Sequence, residues 1–274
     1  MSQKKIRLRH LKRGLLRDTL DERDFIFSSS LKIFPVKVDH TSEMSPVKNQ
    51  GSLGSCVAFS ASALKEWQEI KEHLQEVEGG KRDYRQGKHY DFSEQWIYYM
   101  CKKIDGNSSE GTSFRSAMKV LSKIGVPAER AWPYNAKAKG KPKRWAHLVS
   151  RWALIGEYRR IYGLEELKKA LIESPVLIGI PLTTEIFGKL VNGVIPYPKN
   201  PDKLYGGHAV CAVGYDDEKQ LIKFKNSWSK FWGDRGYGYL SYNFIRDFLW
   251  AAWICKDIVV TKEMLKNTKE LLDG

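Results

Sequence analysis

Gln50-Gly51-Ser52-Leu53-Gly54-Ser55-Cys56-Val57-Ala58-Phe59-Ser60-Ala61 places a cysteine where a glycine-rich turn becomes a helix. A thiol there faces the unpaired N–H groups and the positive dipole end of the helix, which favour thiolate over thiol. Beyond it, Phe59, Ala63, Trp67, Ile70, Leu74 and Val77 recur every three or four residues, one apolar stripe on a long helix. Gly79-Gly80 stop that helix, and the polar run Lys81 to Asp91 reads as a loop. Whether Cys56 is a nucleophile turns on whether the rest of the chain brings it a base.

The remainder of the first half is helical in texture. Ser93 is an N-cap for a helix carrying Trp96, Tyr99 and Met100. Another helix starts near Ser113, carries Phe114 and Leu121 on one face, and ends at Gly125 before Pro127. In the second half the period changes. A short helix with Leu164, Leu167 and Leu171 is stopped by Ser174-Pro175. Strands follow over Val176 to Ile180, His208 to Tyr215 and Leu221 to Ser227, and strand-like texture continues over Gly236 to Tyr242 and Trp250 to Val260. Lys262 to Gly274 resembles a short polar helical tail. A helical lobe followed by a sheet lobe predicts a cleft between them.

Alternation supplies the base. Ile222 and Phe224 share one strand face with Asn226, whereas Lys223 and Lys225 point the other way. Val210 and Ala212 share a face with His208. Two polar groups therefore end inward-facing rows, and buried polar groups need partners. A His208–Asn226 hydrogen bond would fix the imidazole tautomer and leave the other ring nitrogen for a thiol. Cys56, His208 and Asn226 then form a nucleophile, a base and an orienter. Gln50 adds a side-chain amide donor beside the Cys56 N–H, a pair suited to a developing oxyanion.

Composition bounds the alternatives. A chain of 274 residues with 42% hydrophobic content builds a folded core. No apolar run reaches the ~18 residues that span a bilayer. Met1 to Arg17 holds seven Lys/Arg and no acid, but no apolar run follows, so a secretory signal is not expected. Cys101, Cys211 and Cys255 are widely spaced and read as small buried hydrophobes, with no disulfide framework and no zinc motif. Neither metal nor organic cofactor is implied. The formal charge of +14 is partly local, in Lys137, Lys139, Lys141, Lys143 and Arg144. That segment is a solvated loop in the plainest reading, and an attractor of an acidic partner, acidic membrane or nucleic acid in a sharper one.

The motifs together resemble the papain family of cysteine peptidases. Pro46-Val47-Lys48-Asn49-Gln50-Gly51-Ser52 and Gly54-Ser55-Cys56 with Ala58-Phe59-Ser60 are similar to the family's nucleophile segment, and Ser93-Glu94-Gln95 to its second helix start. Gly207-His208-Ala209-Val210 with Val213-Gly214-Tyr215 resembles the histidine strand. Asn226-Ser227-Trp228 with Trp232-Gly233 and Gly236-Tyr237 resembles the asparagine segment. The resemblance implies an α+β, two-lobed fold, with a helical left domain, an antiparallel β-barrel-like right domain and the active-site cleft between them. It carries the roles Cys56 nucleophile, His208 base and acid, Asn226 orienter and Gln50 oxyanion donor. Trp228 would shield the His–Asn bond, and Gly111 and Gly207 would line the substrate channel. Leu53, Val57 and Ser229 depart from the family pattern: Leu53 stands where many members have a disulfide cysteine, Val57 where tryptophan is usual, and Ser229 where glycine is usual.

The expectation is a thiol peptidase acting on peptide or protein substrates through an acyl-enzyme. The competing readings are a non-catalytic peptide-binding module on the same scaffold, and acyl transfer or ligation by the same cysteine. The expected divisions are an N-terminal arm over 1–35, a mainly helical domain over 36–150, a mainly β domain over 151–261 and a tail over 262–274. The arm either lies across the cleft as a short prosegment or packs outside it. Its Arg23-Asp24-Phe25 region resembles prokaryote-type members. The expected location is cytoplasmic or virion-associated.

Overall fold

A computed structural model describes residues 14–78, 90–106, 108–137, 140–182, 190–198 and 206–258, and the side chains of all of these but 73–78. Most of the expected loop Lys81 to Asp91, the expected tail and the first thirteen residues of the arm lie outside them.

Three helices carry the first half: α1 (Cys56–Glu78), α2 (Glu94–Asp105) and α3 (Phe114–Lys123). Ser93 and Ser113 cap α2 and α3, accepting from the N–H groups of Trp96 and Ser116. Such a cap is worth about 1 kcal/mol. Gly106 ends α2 in the left-handed region that favours glycine. The short helix α4 (Arg144–Ser150) follows.

The sheet is antiparallel throughout and runs in the order β2 (Ile155–Arg160), β7 (Ala251–Asp257), β3 (Val176–Pro181), β4 (Gly207–Asp216), β5 (Leu221–Lys225), β6 (Tyr237–Ser241). β1 (Lys37–Asp39) adds to β4 outside this path. Helices α5 (Gly163–Glu173) and α6 (Tyr242–Phe248) complete the second half. The strand expected over Gly236 to Tyr242 ends one residue early. Tyr242 instead opens α6, because Ser241 accepts from the Phe244 N–H and so starts a helix.

β4 is the spine. Ala209, Cys211 and Val213 pack with α1 to α3, while Val210, Ala212 and Tyr215 pack with α5 and α6 in a second apolar cluster. Both faces are therefore buried, which explains its continuous apolar sequence. The first cluster also holds Trp253 and Cys255 of β7, so the helical and sheet lobes share an apolar core. Gly214 is required where β1 crosses, since a Cβ there would collide with the Val38 carbonyl.

Candidate functional site

Cys56 is the first residue of α1 and is fully buried. Its Sγ accepts a hydrogen bond from the Ala209 N–H at 3.4 Å, which places the thiol beside the residue that follows His208 on β4. His208 Nε2 pairs with Asn226 Oδ1 at 2.9 Å, the partnership expected from the two strand patterns. Asn226 Oδ1 also accepts from the Ser227 N–H at 2.8 Å, which fixes the amide. The Trp228 ring stacks on the imidazole, with centroids 4.5 Å apart and planes at 25°. It covers the imidazole from solvent, and Trp232 buttresses it edge-on at 5.5 Å.

Gln50 is buried beside this row. Its Nε2 donates to the Leu53 carbonyl at 2.9 Å, and its Oε1 accepts from Ser227 Oγ at 2.6 Å. An amide nitrogen carries two protons, so one remains for a substrate oxygen. The backbone around it is locked to the sheet lobe by Gln50 N–H to Ser227 O at 2.9 Å and Ser229 N–H to Lys48 O at 3.0 Å. Ser229, which stands where glycine is usual in the family, adopts the left-handed backbone itself, at φ 70°.

Beneath the nucleophile helix lies a charged network that the sequence did not single out. Lys48 Nζ contacts Glu66 at 2.7 Å and Glu94 at 2.6 Å, and Glu66 also accepts from Ser45 and from the Phe92 N–H. Burial opposes a charge on Lys48, but the Glu66 and Glu94 carboxylates outweigh it and raise its pKa. Burial raises the Glu94 pKa against the pull of Lys48. Lys225, read from alternation as pointing away from the apolar face, is buried rather than solvated. Its Nζ donates to the Ser45 carbonyl at 2.7 Å, and burial lowers its pKa. Alternation identifies the opposite face of a strand but not whether that face is dry.

The cleft is filled by the chain's own arm. Gly14 and Leu15 N–H groups donate to the Gly207 carbonyl at 3.3 and 3.1 Å. Thr112 N–H donates to Gly14 O at 2.9 Å, and Leu16 N–H donates to Thr112 O at 2.9 Å. The arm thus pairs with both walls as an added strand, parallel at Thr112 and antiparallel at Gly207. Leu15 is 4% exposed and sits against Gly179 and among the residues of the first apolar cluster. Gly207 lies against the arm, where a Cβ would lie 2.6 Å from the Trp250 ring and 2.7 Å from Leu15 O.

Gly111 lies beside the arm at Gly14. Its N–H donates to the Tyr98 hydroxyl at 3.2 Å and its carbonyl accepts from Lys102 at 3.0 Å. The backbone pairing falls to the neighbouring Thr112, while Gly111 gives room: a Cβ would lie 2.7 Å from Gly14 O. The hint in sequence was Gly14-Leu15-Leu16, an apolar run inside the basic stretch Met1 to Arg17.

Past the cleft the arm is clamped. Asp18 accepts from the Arg115 N–H at 3.0 Å and from Trp253 Nε1 at 2.9 Å. Asp24 pairs with Arg115 at 2.5 Å and with Arg160 at 3.3 Å. Phe27 is buried in the second cluster, and its N–H donates to Arg160 O at 2.8 Å along the open edge of β2. Residues 14 to 27 of the arm therefore run from beside Cys56 to the edge of the sheet.

Burial under the arm reverses the ionisation expected from the helix terminus. It pushes the Cys56 thiol up to about 11, against the opposing N–H groups of Ala209, Val57, Cys56 and Gly14. It also pushes His208 down to about 4, against its bond with Asn226. In this covered form burial disfavours the charged form of each partner.

All four cysteines are free and buried. Among the described residues no group of three or more His, Cys, Asp or Glu is arranged to hold a metal ion, and no helix is long and apolar enough to cross a membrane.

The profile of the papain family of cysteine proteases matches residues 34–247. An uncharacterised peptidase C1-like protein of Acanthamoeba polyphaga mimivirus is 29% identical over 236 residues, which are 80% of this chain and 71% of that one. Xylellain, a cysteine protease from Xylella fastidiosa, superposes with a TM-score of 0.78 at 29% identity, covering 90% of this chain and 96% of its own. The Amb a 11 cysteine protease of Ambrosia artemisiifolia is 31% identical over 230 residues, 81% of this chain but only 54% of that protein. Its crystal structure in the proform superposes with a TM-score of 0.64 at 26% identity, over 83% of this chain and 67% of that one.

Proposed function

This chain belongs to the papain family of cysteine proteases, and from that premise we propose that it hydrolyses peptide bonds with Cys56 as nucleophile and His208 as its acid and base. Once the cleft is open and the thiol has passed its proton to His208, the Cys56 thiolate attacks the substrate carbonyl carbon and forms a C–S bond. The oxyanion is held by the Gln50 amide and the Cys56 N–H, which act only on the charge that develops. The C–N bond then breaks, and His208 gives its proton to the departing amine. Water adds to the thioester as His208 takes its proton, and the C–S bond breaks to release the acid. Asn226 holds the imidazole, and Trp228 keeps water from that bond.

One observation carries this assignment. The Cys56 sulfur is hydrogen-bonded to the residue adjoining His208, on the strand whose histidine is held by Asn226. Substrate backbone is read by Thr112 and the Gly207 carbonyl, with Gly111 leaving room, and the pocket that seats Leu15 receives an apolar side chain.

The arm is the latency device of this peptidase in the same reading. Support comes from Gly14 against the thiol, from the Asp18 and Asp24 clamp, and from the likeness to a relative solved in its proform. A reducing location, cytoplasm or virion interior, completes the proposal and rests on the four free thiols.

The test uses the full chain and a full-length Leu15→Asp variant, each treated with an epoxysuccinyl thiol-protease inhibitor and assayed on a peptide library. The expected result is a single adduct at Cys56, hydrolysis faster in Leu15→Asp, and loss of hydrolysis in Cys56→Ser. Hydrolysis that survives Cys56→Ser, or a folded Leu15→Asp protein that takes no adduct, overturns the assignment. Products trapped by an added amine in place of water would instead identify acyl transfer.

A further inference from the structure

The segment from Arg130 to Gly156 contains seven Lys/Arg and no Asp or Glu. The cationic run is followed immediately by α4, and α4 turns an apolar face outward. Trp145, Leu148 and Trp152 are 43%, 57% and 60% exposed. Their spacing of three and four residues places them in one arc of the helix and the turn that follows it. Ala146 and Ser150, on the opposite arc, are fully buried. Arg144 and Arg151 fall on the border of the apolar arc at helical spacing, and Lys137, Lys141 and Lys143 precede it, all three exposed.

The helix is rigidly mounted. Ser150 Oγ donates to the Ile124 carbonyl at 3.0 Å, and a side chain at Gly125 would collide with the Ser150 carbonyl. The His147 ring meets Trp96 edge-on at 4.6 Å. Packing thus demands the inner arc and leaves the outer one unexplained, since a surface serving solubility alone would not present two tryptophans and a leucine together.

We propose that this face docks the protein on an anionic membrane surface, with Trp145, Leu148 and Trp152 in the headgroup and acyl boundary and the flanking cations on lipid phosphates. Tryptophan suits that boundary because its ring is apolar and its N–H is polar, and a basic amphipathic face adds attraction to anionic lipid. Leu148 favours lipid over nucleic acid, because an aliphatic side chain gives bases no ring to stack on. The placement leaves the cleft usable. The ten-residue α3 begins at Phe114, two residues past the Thr112 wall of the cleft, and ends at the mount of α4, about 15 Å away.

The experiment is co-sedimentation of the full-length protein with vesicles of phosphatidylcholine alone and of phosphatidylcholine mixed with phosphatidylglycerol. Binding is expected only to the mixed vesicles, and it weakens as salt is raised. Trp145→Ser with Trp152→Ser should lower partitioning roughly tenfold, and Lys141→Glu with Lys143→Glu roughly thirtyfold. Melting temperatures should not change in either pair, because these side chains are exposed. Failure of the wild-type protein to sediment, or sedimentation indifferent to both pairs, overturns the proposal. A shift of a single-stranded oligonucleotide without vesicle binding would reassign the face to nucleic acid.

Discussion

Gly14 of the arm lies against Cys56, so close that a Cβ on it would stand 2.6 Å from the sulfur and 2.6 Å from the Gly54 carbonyl oxygen. The arm passes over the thiol only because this residue has no side chain. Gly14→Val should therefore lift the arm from the cleft. Labelling of Cys56 by an epoxysuccinyl inhibitor, followed by intact mass, should accelerate about tenfold or more, as one such clash costs roughly 1–3 kcal/mol. An unchanged rate would show that the arm does not limit access.

Gly179 floors the pocket that holds Leu15, and a Cβ there would collide with Leu15 Cδ2 and lie 3.2 Å from the Phe114 ring. Gly179→Ala should loosen the arm and also shorten the pocket for substrates. In a peptide library, cleavage with leucine in that pocket should fall relative to alanine by about tenfold, the worth of a misfit of one or two methylenes. Equal losses for both side chains would place the pocket elsewhere.

Acid should weaken the covered state. His208 is held down at about 4 by burial, whereas an unfolded histidine titrates near 6.5. Between these values the unfolded chain binds the extra proton, so stability falls as pH drops from about 6.5 toward 4. The loss reaches about 2–3 kcal/mol. Thermal melts across this window should show the decline, and His208→Gln should flatten it. Identical slopes in both proteins would assign the decline to carboxylates instead.

Lys48 bridges Glu66 and Glu94 under α1. Lys48→Met removes the cation and leaves two buried carboxyls facing each other, a change that costs about 3–5 kcal/mol. Urea melts should show the loss. The paired change Lys48→Met with Glu94→Gln should recover part of it, and no recovery would mean that the two do not share one network.

Much of the site was legible before any coordinates. Cys56 at a helix start, and His208 and Asn226 at the ends of apolar rows, are each local statements about an element and its period, whereas Trp228 entered only through the resemblance to the papain family. Ser93 and Ser113 announced two helix starts in the same way. What was not legible shares a cause as well. Alternation turned Lys225 away from the apolar face, but a period of two does not report what packs on the second face; Ser45 does. The resemblance named Gly111 and Gly207 for the channel, but the pairing register of the arm also brings in Thr112, which no local pattern marks. Tyr242 looked like strand because its cap lies one residue upstream, at the strand's own end.

Hydrophobic period, caps and glycine-rich turns determined which elements form and which side chains stand at their ends, since these depend on neighbours a few residues away. Only the tertiary structure decided that Gly14 lies over the thiol, that burial there disfavours charge on both cysteine and imidazole, and that α4 and the turn after it keep two tryptophans outside. Desolvation and register depend on segments distant in the chain meeting in space, which local sequence pattern does not encode.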